Sequence, residues 1–255
     1  MDRIRKKEFP FYYAEGKSLF HVVAKMSDEP GSLSKVLGLL GGRVNLIGTS
    51  TYTLEDGSAM LTAFAEGLKQ GESESSLKGL LDGSGFTMSA EVFHGEQGIL
   101  VDTFHTGVEA HGDEMMVIRR KALVGMLARI CRLLGSGGET LLYEQGKEIG
   151  RINTEQTIRI VGMDRTLANI SYLRKWLAAI GWGEVHASNE EDGTHFTVKD
   201  CFECSSSDGH RTGCHFFRGY IAGSRVAQHG SEPRVKETKC RLRGDHACEF
   251  VVAAP

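Results

Sequence analysis

The chain has 255 residues, of which 40% are hydrophobic and 25% are charged, and its formal net charge is -3. This composition is typical of a globular protein with one large domain or two modest ones, and it excludes a general electrostatic attraction to nucleic acid or anionic membranes. No apolar run approaches the roughly 18 residues of a membrane span, and the N-terminus lacks the apolar core of a signal peptide. We therefore expect a cytoplasmic protein without membrane insertion, whose thiols stay reduced.

The first 95 residues predict a tail followed by a small α+β domain. Residues 1–18 are basic and then aromatic, which indicates a tail or an edge strand. Beyond them, alternating and helical spacings of apolar residues, separated by turns that contain glycine, predict the order βαββαβ. The predicted elements are a strand at 19–26, a helix at 32–40, strands at 44–54 and 59–65, a helix at 73–81 and a strand at 87–93.

The turn at 28–33 and the start of the second strand at 44–48 make residues 19–95 resemble the ACT domain, a ferredoxin-like regulatory fold. Domains of this family commonly bind amino acids at an interface between two copies. The resemblance implies that Gly31 and Asn45 contact such an effector, since amides at a helix N-terminus offer hydrogen-bond donors to a carboxylate. The alternative is that this glycine belongs only to a turn and that the domain dimerises without binding an effector.

Residues 96–199 predict further strands and three helices. A strand is expected at 99–104, helices at 115–134 and 167–180 with a further helix that opens at 141–150, and strands at 184–188 and 195–199. The glycine run at 135–138 follows a helix and lacks the lysine of a Walker loop, so it predicts a helix end and a turn instead of a phosphate site. His105 and His111 are interpreted as surface or turn histidines, because no ligand-like partner lies near them in the sequence.

Five of the six cysteines fall within residues 201–248, at short spacings that suit a tetrahedral zinc site. They are Cys201, Cys204, Cys214, Cys240 and Cys248. The last two flank a predicted hairpin and can therefore lie opposite each other, with Glu237 near the same end. Gly219 and Gly223 are one helical turn apart, so a neighbouring backbone can approach closely there. The sixth cysteine, Cys131, is expected to be an ordinary buried residue.

A cysteine followed five residues later by Gly-Tyr, and then the pattern Glu-x-x-Cys-x7-Cys, make residues 96–253 resemble the 4-vinyl reductase domain. This family is named for a bacteriochlorophyll vinyl reductase component, forms the sensing part of phenol-responsive bacterial activators, and is related in fold to subunits of the TRAPP tethering complex. The resemblance implies an α/β domain with helices packed on an antiparallel sheet. It places a zinc ion on Cys214, Glu237, Cys240 and Cys248. It also implies an apolar pocket for a hydrocarbon, aromatic or acyl ligand, with Trp182, Phe216, Phe217 and Tyr220 as the expected contacts.

The pair Cys201 and Cys204 is a departure from the motif of this family. These two thiols can displace Glu237 from the metal, act as a redox pair, or simply cap a turn. Their spacing favours metal binding over the other two roles. Whether they join the zinc site or replace one of its members stays open at this point.

The residues and the two resemblances together favour a cytoplasmic ligand sensor or regulatory protein. A homodimer is expected, because both families self-associate and the first sheet otherwise leaves an open edge. The chain is predicted not to be an enzyme, since it lacks dinucleotide-binding and hydrolase motifs and four protein ligands leave zinc no open position. The alternatives are a component of a reductase acting on a vinyl or tetrapyrrole-like substrate and a TRAPP-like scaffold subunit. The identity of the ligand and the downstream partner stay open.

Overall fold

The computed structural model describes residues 11–68, 71–110, 112–162, 170–205 and 212–253. The chain divides into two compact units, Met1–Val108 and Glu109–Pro255. His111 and the first ten residues of the predicted tail lie outside the described residues. Among the helices that are described, none combines the length and the apolar character needed to cross a membrane.

The described residues of the first unit form six strands and two helices. They are β1 (Phe11–Tyr13), β2 (Leu19–Ser27), α1 (Ser32–Gly41), β3 (Val44–Thr53), β4 (Ser58–Gly67), α2 (Glu74–Asp82), β5 (Ser89–His94) and β6 (Ile99–Val101). The four long strands make one antiparallel sheet in the order β3-β4-β2-β5. From β2 to β5 the elements follow the predicted βαββαβ order.

Strand β2 lies inside the sheet and is buried on both faces. Because side chains alternate along a strand, Phe20 and Val22 point to one face, where they join the core shared with the two helices. The helices contribute Val36, Leu40, Leu77 and Leu81 to this core. Leu19 and His21 point to the opposite face, where Leu19 packs against Leu100 of β6. The second face of the sheet is therefore also covered.

The cover on this second face comes from the pairing of β1 with β6. The two strands are antiparallel, with Tyr12 opposite Leu100. The predicted tail thus includes an edge strand, and the strand that follows residue 95 belongs to the first unit. The boundary between the units consequently falls after Val108, later than the predicted boundary at residue 95, because β6 completes the layer begun by β1.

The second unit carries a second antiparallel sheet and four helices among its described residues. Its elements are β8 (Asp113–Met115), α3 (Arg120–Leu134), α4 (Ser136–Val161), α5 (Ile170–Ala179), β9 (Glu184–Glu190), β10 (Gly193–Lys199), α6 (His215–His229), β11 (Val235–Lys239) and β12 (Cys248–Ala253), after the boundary strand β7 (Val108–Ala110). The sheet order is β11-β12-β10-β9, and β7 pairs with β8. The fold of the chain is therefore mixed α and β.

The helices before residue 162 differ from the prediction in two places. Helix α3 begins at Arg120 instead of Met115, because Met115 is the last residue of β8. The glycine run at 135–138 does not make a turn, since α4 starts directly after Gly135, whose φ is 56°. A Cβ on Gly138 would lie 2.7 Å from the carbonyl oxygen of Ile130. The run therefore allows α4 to leave α3 at close backbone contact.

Helices α4 and α6 cross with their backbones in contact. A Cβ on Gly219 would collide with the carbonyl oxygen of Tyr143, and one on Gly223 would collide with that of Lys147. Gly146 and Gly150 of α4 make the reciprocal approach to α6. The close helix approach expected at Gly219 and Gly223 is thus present. It fixes the position of α6, whose first turn borders the cysteine cluster.

Candidate metal centre and ligand cleft

The five clustered cysteines reach one place from three parts of the second unit. Cys201 directly precedes the 3-10 helix Phe202–Cys204, and Cys204 is the last residue of that helix, which follows β10. Cys214 precedes the first residue of α6. Cys240 directly follows β11, and Cys248 begins β12. Four of the sulfurs belong to buried residues, while Cys204 is partly exposed.

The distances between these sulfurs suit a single metal ion. Sγ of Cys204 lies 3.1 Å from that of Cys214, 3.7 Å from that of Cys240 and 3.4 Å from that of Cys248. Sγ of Cys214 lies 3.7 Å and 3.6 Å from the last two. Tetrahedral zinc with Zn–S bonds of about 2.3 Å separates its sulfurs by roughly 3.8 Å. Four thiolates could therefore surround one zinc ion with small adjustments.

Cys201 contributes a fifth sulfur at the edge of this group. Its Sγ lies 3.8 Å from that of Cys214, and Cys201, Cys204, Cys214 and Cys248 form one set whose possible ligand atoms lie within 4.8 Å of one another. Cys214, Glu237, Cys240 and Cys248 form a second such set. The structure therefore brings all four residues of the predicted zinc site together, and it adds Cys204 to them.

Two carboxylates hold the start of α6 against the cysteine turns. Glu203, which is fully buried, accepts hydrogen bonds from the backbone N–H groups of Phe216 and Phe217 at 3.2 Å and 2.9 Å. Glu237 accepts from the backbone N–H of Cys214, 3.1 Å from each carboxylate oxygen. Carboxylates at a helix N-terminus satisfy its free N–H groups and interact favourably with its dipole. Glu203 was not predicted as part of the site, although it stands between Cys201 and Cys204 in the sequence.

The neighbouring sulfurs shift each other's pKa. The pKa of Cys204 is lowered because hydrogen bonds from the thiols of Cys201, Cys214 and their neighbours stabilise its thiolate. The pKa of Cys214 is raised by its hydrogen bonds with Cys201 and the other sulfurs, together with burial. Burial raises the pKa of Glu237 despite its hydrogen bonds. A cation that binds here would therefore have to displace protons from several groups.

The aromatic residues predicted to contact a ligand form part of the protein core. The ring centroid of Trp182 lies 5.0 Å from that of Tyr220 and 5.8 Å from that of Phe216. Phe217 stacks on Phe250 at 5.5 Å. Phe216, Phe217 and Tyr220 are at most 5% exposed. Such contacts are typical of core packing, so the four rings meet one another, and their contact with a ligand stays a prediction.

The second unit also contains an open cleft, away from the cysteine cluster. It is a cleft of about 620 Å³ between β8 and the C-terminal half of α4. Its apolar lining includes Met115, Ile152, Ile160 and Trp176, and its polar lining includes Asp113, Asn153, Gln156 and Thr157. The side-chain amide of Gln156 donates to the carboxylate of Asp113. Trp176 lies in the helix predicted at 167–180, and its place in this cleft was not predicted from the sequence.

The two predicted effector contacts lie at opposite ends of α1. Gly31 directly precedes this helix, with a φ of 94°, and Asn45 is an exposed residue near the start of β3. A helix of ten residues is about 15 Å long, so one chain does not bring them to the same point. Any site with both contacts would take them from two copies.

Comparison with known proteins finds matches to part of the chain. The model of the 4-vinyl reductase domain family matches residues 194–254. An uncharacterised protein of Methanocaldococcus jannaschii is 37% identical over 119 residues, which are 46% of this chain and 66% of that protein. The match therefore spans slightly less than two thirds of the relative.

Two solved structures are partly similar to the chain. The phenol-responsive sensory domain of the transcription activator PoxR, with phenol, has a TM-score of 0.49 at 14% identity, over 88% of this chain and 91% of that one. A vinyl-4-reductase family protein of Methanocaldococcus jannaschii has a TM-score of 0.39 at 18% identity, over 56% and 84%. Because both TM-scores lie below 0.5, neither likeness extends the function of those proteins to this chain. The family match is limited to residues 194–254, which lie in the second unit.

Proposed function

We propose that this protein is a small-molecule sensor whose second unit binds an apolar or aromatic ligand without transforming it. The observation that carries the proposal is the cleft of about 620 Å³, since binding sites for small molecules usually measure a few hundred to about 1,000 Å³. The 4-vinyl reductase domain of the same unit supports the proposal. The family resemblance adds the expectation of a hydrocarbon, aromatic or acyl ligand.

The lining of the cleft indicates what such a ligand contains. Ile152, Ile160 and Trp176 offer apolar surface, and the two isoleucines are 48% and 39% exposed. Asp113 of β8 and Thr157 of α4 offer hydrogen-bonding oxygens in the same cleft. A ligand that is mostly apolar would bury these exposed side chains favourably. The carboxylate of Asp113 favours a ligand that also carries a hydroxyl or amine donor.

The proposal is tested by filling the cleft. Ile152→Trp places a larger side chain in the cleft, and Ile149→Trp changes a second exposed isoleucine of α4 that does not line it. We expect Ile152→Trp to weaken binding at least tenfold, or about 1.4 kcal/mol, and Ile149→Trp to leave it unchanged. Mass spectrometry of ligands extracted from the native protein identifies the molecule, and titration with that molecule measures the affinity. Equal binding by both variants would place the ligand elsewhere.

We also propose that the cysteine cluster holds one structural zinc ion. In the proposed site Cys214, Cys240 and Cys248 are three of the donors, and the fourth donor is either Cys204 or the predicted Glu237. The short distance between the sulfurs of Cys204 and Cys214 favours Cys204. Both carboxylate oxygens of Glu237 are already engaged by the backbone N–H of Cys214. When bound, zinc would join three segments of the unit, and four protein donors would leave it no position for a substrate.

Elemental analysis of two variants distinguishes the fourth donor. With Cys204 as the donor, Cys204→Ser should lose zinc at a chelator concentration at which Glu237→Gln retains about one zinc per chain. The reverse result would establish the set of Cys214, Glu237, Cys240 and Cys248. A well-folded wild-type protein without any metal would contradict both arrangements.

The first unit is proposed to be an ACT-like regulatory domain in a homodimer. Its βαββαβ order and four-stranded sheet support this. If Gly31 and Asn45 contact an amino-acid effector, the effector lies between two copies, because one chain separates these residues. Light scattering should give twice the monomer mass of 27.9 kDa, and a monomer at micromolar concentration would contradict the dimer.

A further inference from the structure

The first unit contains a second cluster of metal-ligating side chains, remote in sequence from the cysteines. His21 lies on β2, and Asp102 and His105 follow β6. Their possible ligand atoms all lie within 4.8 Å of one another. His105 was predicted to be an ordinary surface or turn histidine. Its neighbour His21 is distant in sequence, and the two come together because β6 lies over β2.

One ring nitrogen of His21 is buried without a hydrogen bond. The side chain of His21 is fully buried, and its Nδ1 has no partner within hydrogen-bonding distance. Oδ1 of Asp102 is 3.7 Å away, which is too far for a hydrogen bond. An unsatisfied buried polar atom is costly and uncommon in folded proteins. Nδ1 of His21 therefore lies near the carboxylate of Asp102 without a hydrogen bond between the two groups.

The other ring nitrogen of His21 has a partner that explains this orientation. Nε2 lies 2.7 Å from the hydroxyl oxygen of Thr62 on β4. If Nε2 carries the proton and donates to Thr62, Nδ1 presents its lone pair to Asp102. Two acceptors then face each other, and a cation between them removes the conflict.

His105 approaches the second carboxylate oxygen of Asp102 with the same ring nitrogen, here at hydrogen-bonding distance. Its Nδ1 lies 2.7 Å from Oδ2 of Asp102, and its Nε2 lies 2.8 Å from the hydroxyl oxygen of Tyr52. Both imidazoles thus turn Nδ1 toward the same carboxylate and engage a hydroxyl with Nε2. Histidines that bind metals almost always have the second nitrogen hydrogen-bonded in this way.

The surroundings hold these groups in place and keep His21 uncharged. The ring of His21 stacks on Phe64 at 4.8 Å. Burial lowers the pKa of His21, against the opposing charge of Asp102, and neutral imidazole is the form that binds metals. The carboxylate of Asp102 is oriented by the backbone N–H of His105 at 3.0 Å.

We propose that Nδ1 of His21, Nδ1 of His105 and the carboxylate of Asp102 bind one divalent first-row transition cation of the Zn²⁺ and Co²⁺ class. Two imidazoles and one carboxylate suit these ions better than Mg²⁺ or Ca²⁺, which prefer oxygen ligands alone. Three protein ligands leave at least one position open. The site is independent of the thiolate centre and of the cleft, so it adds a separate binding function in the first unit.

The test uses the full chain with its thiolate centre already filled by one equivalent of Zn²⁺. Co²⁺ is then added as the probe, and its visible absorption is recorded. We expect one further equivalent of Co²⁺ to bind with d–d bands and without sulfur-to-cobalt charge transfer. The proposal would be overturned if no Co²⁺ bound beyond the filled thiolate centre, or if the bound Co²⁺ showed charge transfer from sulfur.

Variants identify the ligands. Asp102→Asn and His105→Asn should each weaken Co²⁺ binding at least tenfold, because each removes a ligand. His94→Asn is the matched control: it changes an exposed histidine of the same unit, which hydrogen-bonds to Ser18 at 3.0 Å. Equal affinities for all three variants would overturn the assignment.

A measurement on the unmodified chain keeps the test valid if a variant is unstable. Long-range ¹H–¹⁵N correlation spectra report the state of each imidazole nitrogen. Addition of Zn²⁺ to the chain with a filled thiolate centre should shift Nδ1 of His21 and His105 and leave His94 unchanged. If His21 and His105 do not shift, the three side chains bind no metal, and the proposal is wrong.

Discussion

The two units hold their metal-ligating clusters by different means. In the second unit, five sulfurs meet at the first turn of α6, which glycine contacts with α4 and two carboxylates keep in place. In the first unit, two imidazoles and a carboxylate meet between β2 and the segment after β6, and hydroxyls of Thr62 and Tyr52 orient them. Thiolate sets favour zinc in closed structural sites, whereas sets with three nitrogen and oxygen ligands leave positions open. A metal in the second unit would therefore stabilise the fold, whereas a metal in the first unit could exchange with solution.

Cys240→Ser should give the largest effect on this comparison. Cys240 Sγ lies 3.7 Å from the sulfurs of Cys204 and Cys214, and loss of a structural zinc ion removes on the order of 10 kcal/mol of folding free energy. This is as large as the whole stability of a typical domain. We therefore expect the second unit to unfold. Fluorescence of Trp176 and Trp182 measures this, because the two tryptophans of the chain lie in that unit.

The control for this variant is Cys131→Ser, which changes a buried cysteine of α3 outside the cluster. It should cost only about 1 to 2 kcal/mol, as an ordinary core substitution. Native tryptophan emission from Cys240→Ser would show that the cluster does not stabilise the unit through a metal.

Gly219→Ala tests the helix crossing that fixes α6. The added Cβ would collide with the carbonyl oxygen of Tyr143, which is backbone and has no other rotamer. Overpacking of this kind typically costs about 1 to 3 kcal/mol and occasionally more, and we expect the upper end of that range. Urea unfolding followed by tryptophan fluorescence measures the change.

Gly125→Ala on α3 is the matched control, because its Cβ would meet nothing within 4 Å. It should be neutral or stabilise by up to about 1 kcal/mol, since alanine favours the helix. If both variants have the same free energy of unfolding, the close crossing does not constrain the unit.

Features set by neighbours in the sequence could be predicted, and features set by layering could not. The βαββαβ order follows from periodic apolar residues, and the meeting of Cys240 with Cys248 follows from a hairpin. His21 meets Asp102 only because β6 lies over β2, and neither residue stands in a motif. The cleft next to Trp176 likewise depends on how β8 lies against α4. The packing of Trp182 within the core also depends on tertiary contacts that no local pattern encodes.

Glu203→Gln should give the smallest loss of stability. This variant tests whether the carboxylate in the turn at 201–204 anchors α6 independently of a metal. Glutamine keeps the size of the side chain and one acceptor, but its NH₂ group would face a backbone N–H that now donates to Oε1 or Oε2. Hydrogen bonds to a buried charged group contribute about 1.5 to 3 kcal/mol, so we expect a loss of about 1 to 2 kcal/mol. Glu232→Gln, which changes an exposed ion pair with Lys147, should cost about 0.5 kcal/mol or less. The two variants are compared by urea unfolding with zinc in excess. If they lose the same free energy, the buried carboxylate adds nothing to the anchoring of α6, and the cysteine sulfurs hold the turn by themselves.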